Sequence, residues 1–172
     1  MKIEIVDNFL SDYCADSYVK IFNGIGQVAT PFPWAFYNDL NGVERIGNYY
    51  FNHQLILNYK VKSNEWLSIF QPLISTIGIP FDNVWRLKVN LYPRTQRRVH
   101  HASHIDYYPD SGLRTCLYYV NTNNGITKFD GTFKFVRSKK NRAIFFDGSN
   151  PHHSTTPTNE NYRCSINIDY KV

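Results

Sequence analysis

The sequence predicts an α+β chain whose second half is an all-β sandwich or barrel. Three observations carry this: helical periodicity confined to the first half, a switch to period two from Val84 onward, and a high aromatic content. Aromatic residues make up 16% of the 172 residues, including 13 Tyr and 12 Phe, and hydrophobic residues 42%. Such residues favour pleated, half-buried strands over a helical bundle. The length suits one domain with a sizeable core, and no repeat, low-complexity tract or linker divides it.

In chain order, Ile3-Glu4-Ile5-Val6 reads as a short strand. Ser11 suits the N-cap of a helix over about 12–23, with Cys14, Tyr18, Ile21 and Phe22 on one face and Gly24 as its stop. The stretch from Gly24 to Asn48 is rich in Gly, Pro and aromatics and reads as an irregular loop lying over a cleft. Residues 55–77 carry helical periodicity in two pieces, the second starting at Ser63 or Asn64, with Pro72 as a kink. From Val84, Trp85, Leu87, Val89 and Leu91 share one face of a strand, and Arg86, Lys88, Asn90 and Tyr92 the other.

About eight short strands fill the second half. Asn123-Asn124-Gly125 is a hairpin signal leading into Ile126. Residues 133–136 form a short strand, Lys139 to Arg142 a turn and residues 143–146 a buried strand. A loop bearing Pro151-His152-His153 follows, and a last strand alternates cleanly to Tyr170.

The net charge of +5 raises a nucleic-acid partner. The bases are scattered, however, apart from Arg94-Thr95-Gln96-Arg97-Arg98 and Lys139-Lys140-Asn141-Arg142, which read as solvated loops. Cys14, Cys116 and Cys164 make an odd set without a Cys-x-x-Cys pair, against a disulfide framework or structural zinc. No signal peptide or membrane-spanning run is legible, so a soluble, cytoplasmic protein is expected.

Two pieces carry chemistry. His104 and Asp106, two apart in an extended stretch, face one side, and an imidazole with a carboxylate suits a divalent iron ion if a second His arrives. Alone, such a pair is more often a hydrogen-bonded surface pair. On the last strand, Arg163, Ser165, Asn167 and Asp169 share one face and Cys164, Ile166, Ile168 and Tyr170 the other. That polar face looks at solvent or into a polar cavity. A buried arginine requires an anion, and its planar fork matches a carboxylate.

The ordered pieces are Leu91-Tyr92-Pro93, His104-Ile105-Asp106, Thr115-Cys116-Leu117-Tyr118-Tyr119-Val120-Asn121, Gly125-Ile126-Thr127-Lys128-Phe129, Asn141 to Phe146, Asn150-Pro151-His152 and Arg163. Together they resemble the iron(II)- and 2-oxoglutarate-dependent dioxygenases, in particular the prolyl 4-hydroxylase-like branch. The resemblance covers about residues 84–170.

It implies a single domain over 1–172: a double-stranded β-helix (jelly-roll) core over about 82–172, braced by N-terminal helices over about 1–80. It implies Fe(II) held by His104, Asp106 and one of His152 or His153, and 2-oxoglutarate held through Arg163 with Tyr92 and Tyr119 nearby. O2 is the second co-substrate and ascorbate an optional addition. The implied reaction hydroxylates a C–H bond, with a prolyl or other side chain of a protein or peptide as leading substrate, releasing succinate and CO2. Asn150-Pro151-His152 fits the pattern and favours His152. The count back from Arg163 allows His153, and neighbouring strand residues face opposite ways. Strand alternation adds Asn167 and Ser165 as lining residues.

The chain departs from the pattern in having Asn124-Gly125 where Gly-Gly is frequent, met if Asn adopts positive φ. It also carries Arg94, Arg97 and Arg98 where prolyl hydroxylases commonly have glycine, which weakens transfer of the prolyl substrate. Three other readings stay open. One is the same chemistry on a nucleobase or small metabolite, the second a non-catalytic cupin-like metal-binding barrel, and the third a basic nucleic-acid-binding domain.

Overall fold

Ser11 Oγ accepts the Cys14 N–H at 3.3 Å and starts α1 (Asp12–Asn23), which Gly24 ends in the left-handed conformation at φ 65°. Its buried stripe is Ala15, Tyr18 and Phe22, with Cys14 and Ile21 on the margins. The computed structural model describes residues 2–24, 31–38 and 48–172. Most of the loop expected between Gly24 and Asn48 lies outside these residues. Within it the described part contains a short strand, β2 (Ala35–Tyr37), after β1 (Glu4–Asp7).

The helix expected from Leu55 is corrected by the structure. Residues 50–57 form β3 (Tyr50–Leu57), and β4 (Lys60–Val61) folds back on it. Asn58 and Tyr59, both at positive φ (53° and 61°), make the tight turn between them. Two consecutive left-handed residues suit a two-residue hairpin, and no helix passes through them. The turn went unread because it lacks glycine. A 3-10 turn (Leu67–Phe70) then runs into α2 (Gln71–Ile77). Pro72 lies in the first turn of α2, where no N–H is needed, so it opens the helix and does not kink it.

The remaining strands are β5 (Val84–Pro93), β6 (Leu113–Tyr119), β7 (Ile126–Phe129), β8 (Phe135–Arg137), β9 (Arg142–Phe146), β10 (His152–Ser154) and β11 (Tyr162–Lys171). An antiparallel eight-stranded sheet has the order β1-β9-β6-β11-β5-β3-β2, with β4 on β3, and a three-stranded sheet the order β10-β7-β8. Asn123-Asn124-Gly125 is therefore not a hairpin turn. β6 and β7 lie in different sheets, and the segment crosses between them. Asn side chains hold that crossing: Asn123 Oδ1 accepts the Gly125 N–H at 2.9 Å, and Asn121 Oδ1 accepts the Cys164 N–H at 2.9 Å.

Pairing of β11 with β5 aligns Arg163 with Tyr92, Ser165 with Asn90, Asn167 with Lys88 and Asp169 with Arg86. This makes a four-rung polar stripe. The opposite face, Cys164, Ile166 and Ile168, joins Leu87 and Val89 in a core closed by Tyr18, Phe22, Phe70, Leu73 and Ile74 of the helical segments. Period two on β11 thus sorts core from site. Burial pushes the Cys116 and Cys164 thiols up, leaving them inert hydrophobes.

The Lys139–Arg142 turn spends its charge internally. Lys139 and Arg142 pair with Asp7 at 2.8 and 2.6 Å, and Lys140 pairs with Asp16. Among the described residues no helix is long and apolar enough to cross a membrane.

Candidate metal centre

His104 and Asp106 sit in the extended loop between β5 and β6, held by backbone pairing. His104 exchanges N–H···O bonds of 3.0 Å with His152, and the Asp106 N–H donates to Gly148 O at 2.8 Å. These bonds bring the loop against β10. The ligand-capable atoms of His104, Asp106 and His152 all lie within 4.8 Å of one another. Nε2 of His104 is 3.8 Å from Asp106 Oδ1, and Nε2 of His152 is 3.4 Å from Asp106 Oδ2. His152 Nδ1 lies 2.8 Å from Asn150 O, so the Nδ1–H donates there and leaves the Nε2 lone pair turned inward.

His153 faces away. Its Nδ1 pairs with Asp130 Oδ1 at 2.8 Å and its Nε2 lies 3.1 Å from His100 Nδ1. His101 contacts Ser154 Oγ at 2.7 Å, and His53 packs edge-on against Phe32. Glycine is required at Gly148 by space: a Cβ there would lie 2.9 Å from Asp106 Cβ and 2.8 Å from the Tyr107 ring.

Burial pushes the Asp106 carboxyl up, but Arg86 and His152 outweigh it and hold the group well below the usual carboxylate range. Arg86 bridges Asp106 and Asp169, with Nε 2.5 Å from Asp169 Oδ2, and Thr115 Oγ1 donates to Asp169 Oδ1 at 2.7 Å. Two buried carboxylates around one guanidinium repel each other. Burial and Asp106 raise Asp169 while Asp106 stays ionised. Burial, then the neighbouring His152, lowers His104 to about 4, so it is a neutral imidazole near pH 7. Asp106 Oδ2, buried without a hydrogen-bond donor, and two inward Nε2 atoms form a donor set that fits a divalent ion of the two-His-one-carboxylate kind.

A cavity opens beside this cluster, lined from both sheets by Lys88, Asn90, Tyr92, Thr127, Ser154 and Arg163 among others. Arg163 is 1% exposed. It donates from Nε to Ser138 Oγ (2.8 Å) and from Nη2 to Thr127 Oγ1 (2.8 Å). Its guanidinium lies 5.5 Å from the Tyr92 ring centre and 5.6 Å from that of Tyr119. No carboxylate among the described residues pairs with it. Tyr119, buried under Arg163, donates its hydroxyl to Thr127 Oγ1 at 2.8 Å. Asn167 points to the metal side and donates to Asp106 Oδ1 at 3.4 Å; Ser165 lines the wall between.

Gly125 shows no positive φ, and neither does Asn124. The expected conformational demand is replaced by a steric one: a Cβ on Gly125 would meet Arg163 Cδ at 2.8 Å. Arg86, Lys88, Thr127 and Ser138 were not singled out as site residues from sequence. Arg86 and Lys88 share the polar face with Tyr92, and charged residues inside a central strand were the available signal. Thr127 lies in the Gly125–Phe129 piece, which marks the segment without marking its contact to Arg163, and Ser138 left no signal.

No family model and no curated protein matches the chain. Solved structures do. A Trichoplax adhaerens prolyl hydroxylase, in complex with a hypoxia inducible factor oxygen degradation domain peptide fragment, matches with a TM-score of 0.64 at 16% identity, over 98% of this chain and 83% of that one. The chain shares the fold of this hydroxylase. A viral collagen prolyl hydroxylase from Paramecium Bursaria Chlorella virus-1, described as a 2OG complex, matches with a TM-score of 0.60 at 15% identity, over 100% and 97%. A non-heme alpha ketoglutarate dependent epimerase from nogalamycin biosynthesis matches with a TM-score of 0.63 at 13% identity, over 98% and 76%. The shared fold therefore hosts more than one reaction among these neighbours.

Proposed function

We propose that this protein is an iron(II)- and 2-oxoglutarate-dependent dioxygenase that hydroxylates a C–H bond, with a prolyl or other side chain of a protein or peptide as substrate. The observation that carries the reading is one cavity with His104, Asp106 and His152 at one end and Arg163, a buried cation lacking a carboxylate partner among the described residues, at the other. The two sheets are then the walls of a double-stranded β-helix, and residues 1–172 one oxygenase domain.

His104, Asp106 and His152 hold the iron. Bound there with 2-oxoglutarate and O2, it supplies oxidative decarboxylation to succinate and CO2 coupled to C–H hydroxylation. Arg163 binds the far carboxylate of 2-oxoglutarate. Tyr92 and Tyr119 flank it, their hydroxyls kept protonated by burial against the opposing pull of Arg163. Asn167 and Arg86 orient the Asp106 carboxylate, and Thr115 steadies Asp169 behind it. The apolar wall, Leu117 and Phe146, excludes water.

Peptide substrate is favoured because two of the matched structures are prolyl hydroxylases, one bearing a peptide. The Lys139–Arg142 cluster, already ion-paired, lends nothing to a nucleic-acid surface. The test is succinate release from 2-oxoglutarate by the iron-loaded protein, with and without peptide, nucleic-acid and metabolite panels. Stimulation by a peptide panel is expected. No succinate under any condition, uncoupled turnover included, sinks the enzyme reading and favours the cupin-like barrel.

A further inference from the structure

Arg86, Lys88, Asn90 and Tyr92 project from one face of β5. Arg86 is satisfied by Asp106 and Asp169. Lys88 is not: half-buried, it lines the cavity with His104, His152 and Arg163, and its side chain makes no hydrogen bond or ion pair to any described residue. Its strand neighbours are Asn167 on one side and Gln54 on the other, both uncharged. Burial, then the like charge of Arg86, lowers its ammonium to about 8. Asp106 and Asp169 attract it from beyond ion-pair distance without offsetting these effects, and a desolvated cation with no anion in contact is relieved by a ligand that brings one.

The cavity thus holds two cations without carboxylate partners. Lys88 and Tyr92 are four residues apart, roughly 13 Å along an extended strand. Arg163 lies opposite Tyr92, so the two cations enter from opposite ends. Lys88 is at the end of Asn167, Asp106 and His104, where an ion adds further positive charge. The ligand that balances this arrangement is anionic at both ends. The ends also differ in chemistry: a planar fork at Arg163, a compact three-donor ammonium at Lys88.

We infer that Lys88 is a second co-substrate-binding residue, whose ammonium holds the carboxylate at the metal end of 2-oxoglutarate while Arg163 holds the other. This rests on the 2-oxoglutarate reading above. It makes Lys88 a determinant of 2-oxo-acid affinity, separate from selection of the far carboxylate.

The test uses the full chain loaded with zinc, which binds without turnover, and titrates 2-oxoglutarate and pyruvate by calorimetry. Pyruvate keeps the 2-oxo-acid end and lacks the far carboxylate. Lys88→Met keeps side-chain length and removes only charge, and since the Lys88 side chain holds no hydrogen bond and its buried charge is costly, the variant should melt no lower than the parent protein. We expect Lys88→Met to weaken both ligands about tenfold or more, and Arg163→Met to weaken 2-oxoglutarate while sparing pyruvate. Unchanged 2-oxoglutarate affinity in Lys88→Met overturns the assignment, as does a loss confined to 2-oxoglutarate with pyruvate spared. Should Lys88→Met not fold, reductive methylation of the zinc-loaded parent protein replaces it. Protection of Lys88 by pyruvate supports the assignment and undiminished labelling overturns it. Absence of 2-oxoglutarate binding to the zinc-loaded parent protein overturns the co-substrate reading itself, an outcome distinct from a silent Lys88 variant.

Discussion

Arg163 Nη2 donates a 2.8 Å hydrogen bond to Thr127 Oγ1. One residue belongs to the eight-stranded sheet and the other to the three-stranded sheet, so the buried cation is fixed from both walls. Pre-orientation of this kind lowers the ordering cost of binding. Arg163→Met should weaken 2-oxoglutarate by about 1.5–3 kcal/mol, the range for hydrogen bonds to a charged group. Calorimetry on the zinc-loaded protein measures it; an unchanged affinity removes Arg163 from its proposed role.

The two adjacent histidines differ in direction, and metal retention should differ with them. After dialysis, Asp106→Asn and His152→Ala are expected to lose the iron, while His153→Gln keeps it, because His153 engages Asp130 and His100. Metal content per chain decides this without any activity measurement. Loss of iron from His153→Gln alone would reverse the proposed ligand choice.

Gly125→Ala places a methyl 2.8 Å from Arg163 Cδ and from Asn123 Oδ1. Arg163 cannot yield easily between Ser138, Thr127 and Thr155. The variant should bind 2-oxoglutarate more weakly, by about tenfold, and melt lower, since overpacking costs about 1–3 kcal/mol. Parent-like binding and melting would show that the crossing segment has slack.

Phe70 is fully buried among Tyr18 and Phe22, on the face of the large sheet remote from the cavity. Phe70→Ala should cost about 3–5 kcal/mol of stability, read as a lowered urea midpoint. Metal content at low urea should not change.

Asp7 on β1 pairs with Arg142 and Lys139, and those hydrogen bonds hold its carboxyl below its ordinary value of 3.8. A lowered folded-state value means that its contribution is present above 3.8 and is lost as pH falls below it. Acid denaturation of Asp7→Asn should therefore show a shallower loss of stability below that pH than the parent protein. High salt should shrink the difference, since the pair is partly exposed. Identical acid profiles would leave the pair without effect.

Legibility followed the range of the interactions. α1 was readable to the residue because Ser11 and Gly24 are local signals. β11 was readable because alternation from Arg163 to Tyr170 reflects a strand with one apolar and one polar face. β3 was not, since its partner β5 lies some thirty residues on and its turn uses Asn58-Tyr59 in place of Asn-Gly. Local periodicity yielded there to tertiary pairing. The crossing at Asn123 looked like a hairpin because turn residues mark a change of direction and not which sheet the chain enters next. In the site, His104, Asp106 and Arg163 stood out by residue type and order. Lys88 and Arg86 did not, because a charge on a strand reads as solvent-facing until the opposite sheet is known.

β11 lies in the middle of the large sheet, between β6 and β5, although every other strand of that sheet precedes it in the chain. A ribosome emitting about 5–20 residues per second therefore releases both flanking halves before the strand that joins them. Until then β5 and β6 each have one bare edge, and the rungs that carry Arg163, Ser165, Asn167 and Asp169 do not exist. Closure depends on long-range pairing, which is slow. A nascent chain cut short of residue 162 would lack the floor of the cavity altogether, so ligand capacity should arrive in one step once β11 has emerged and paired.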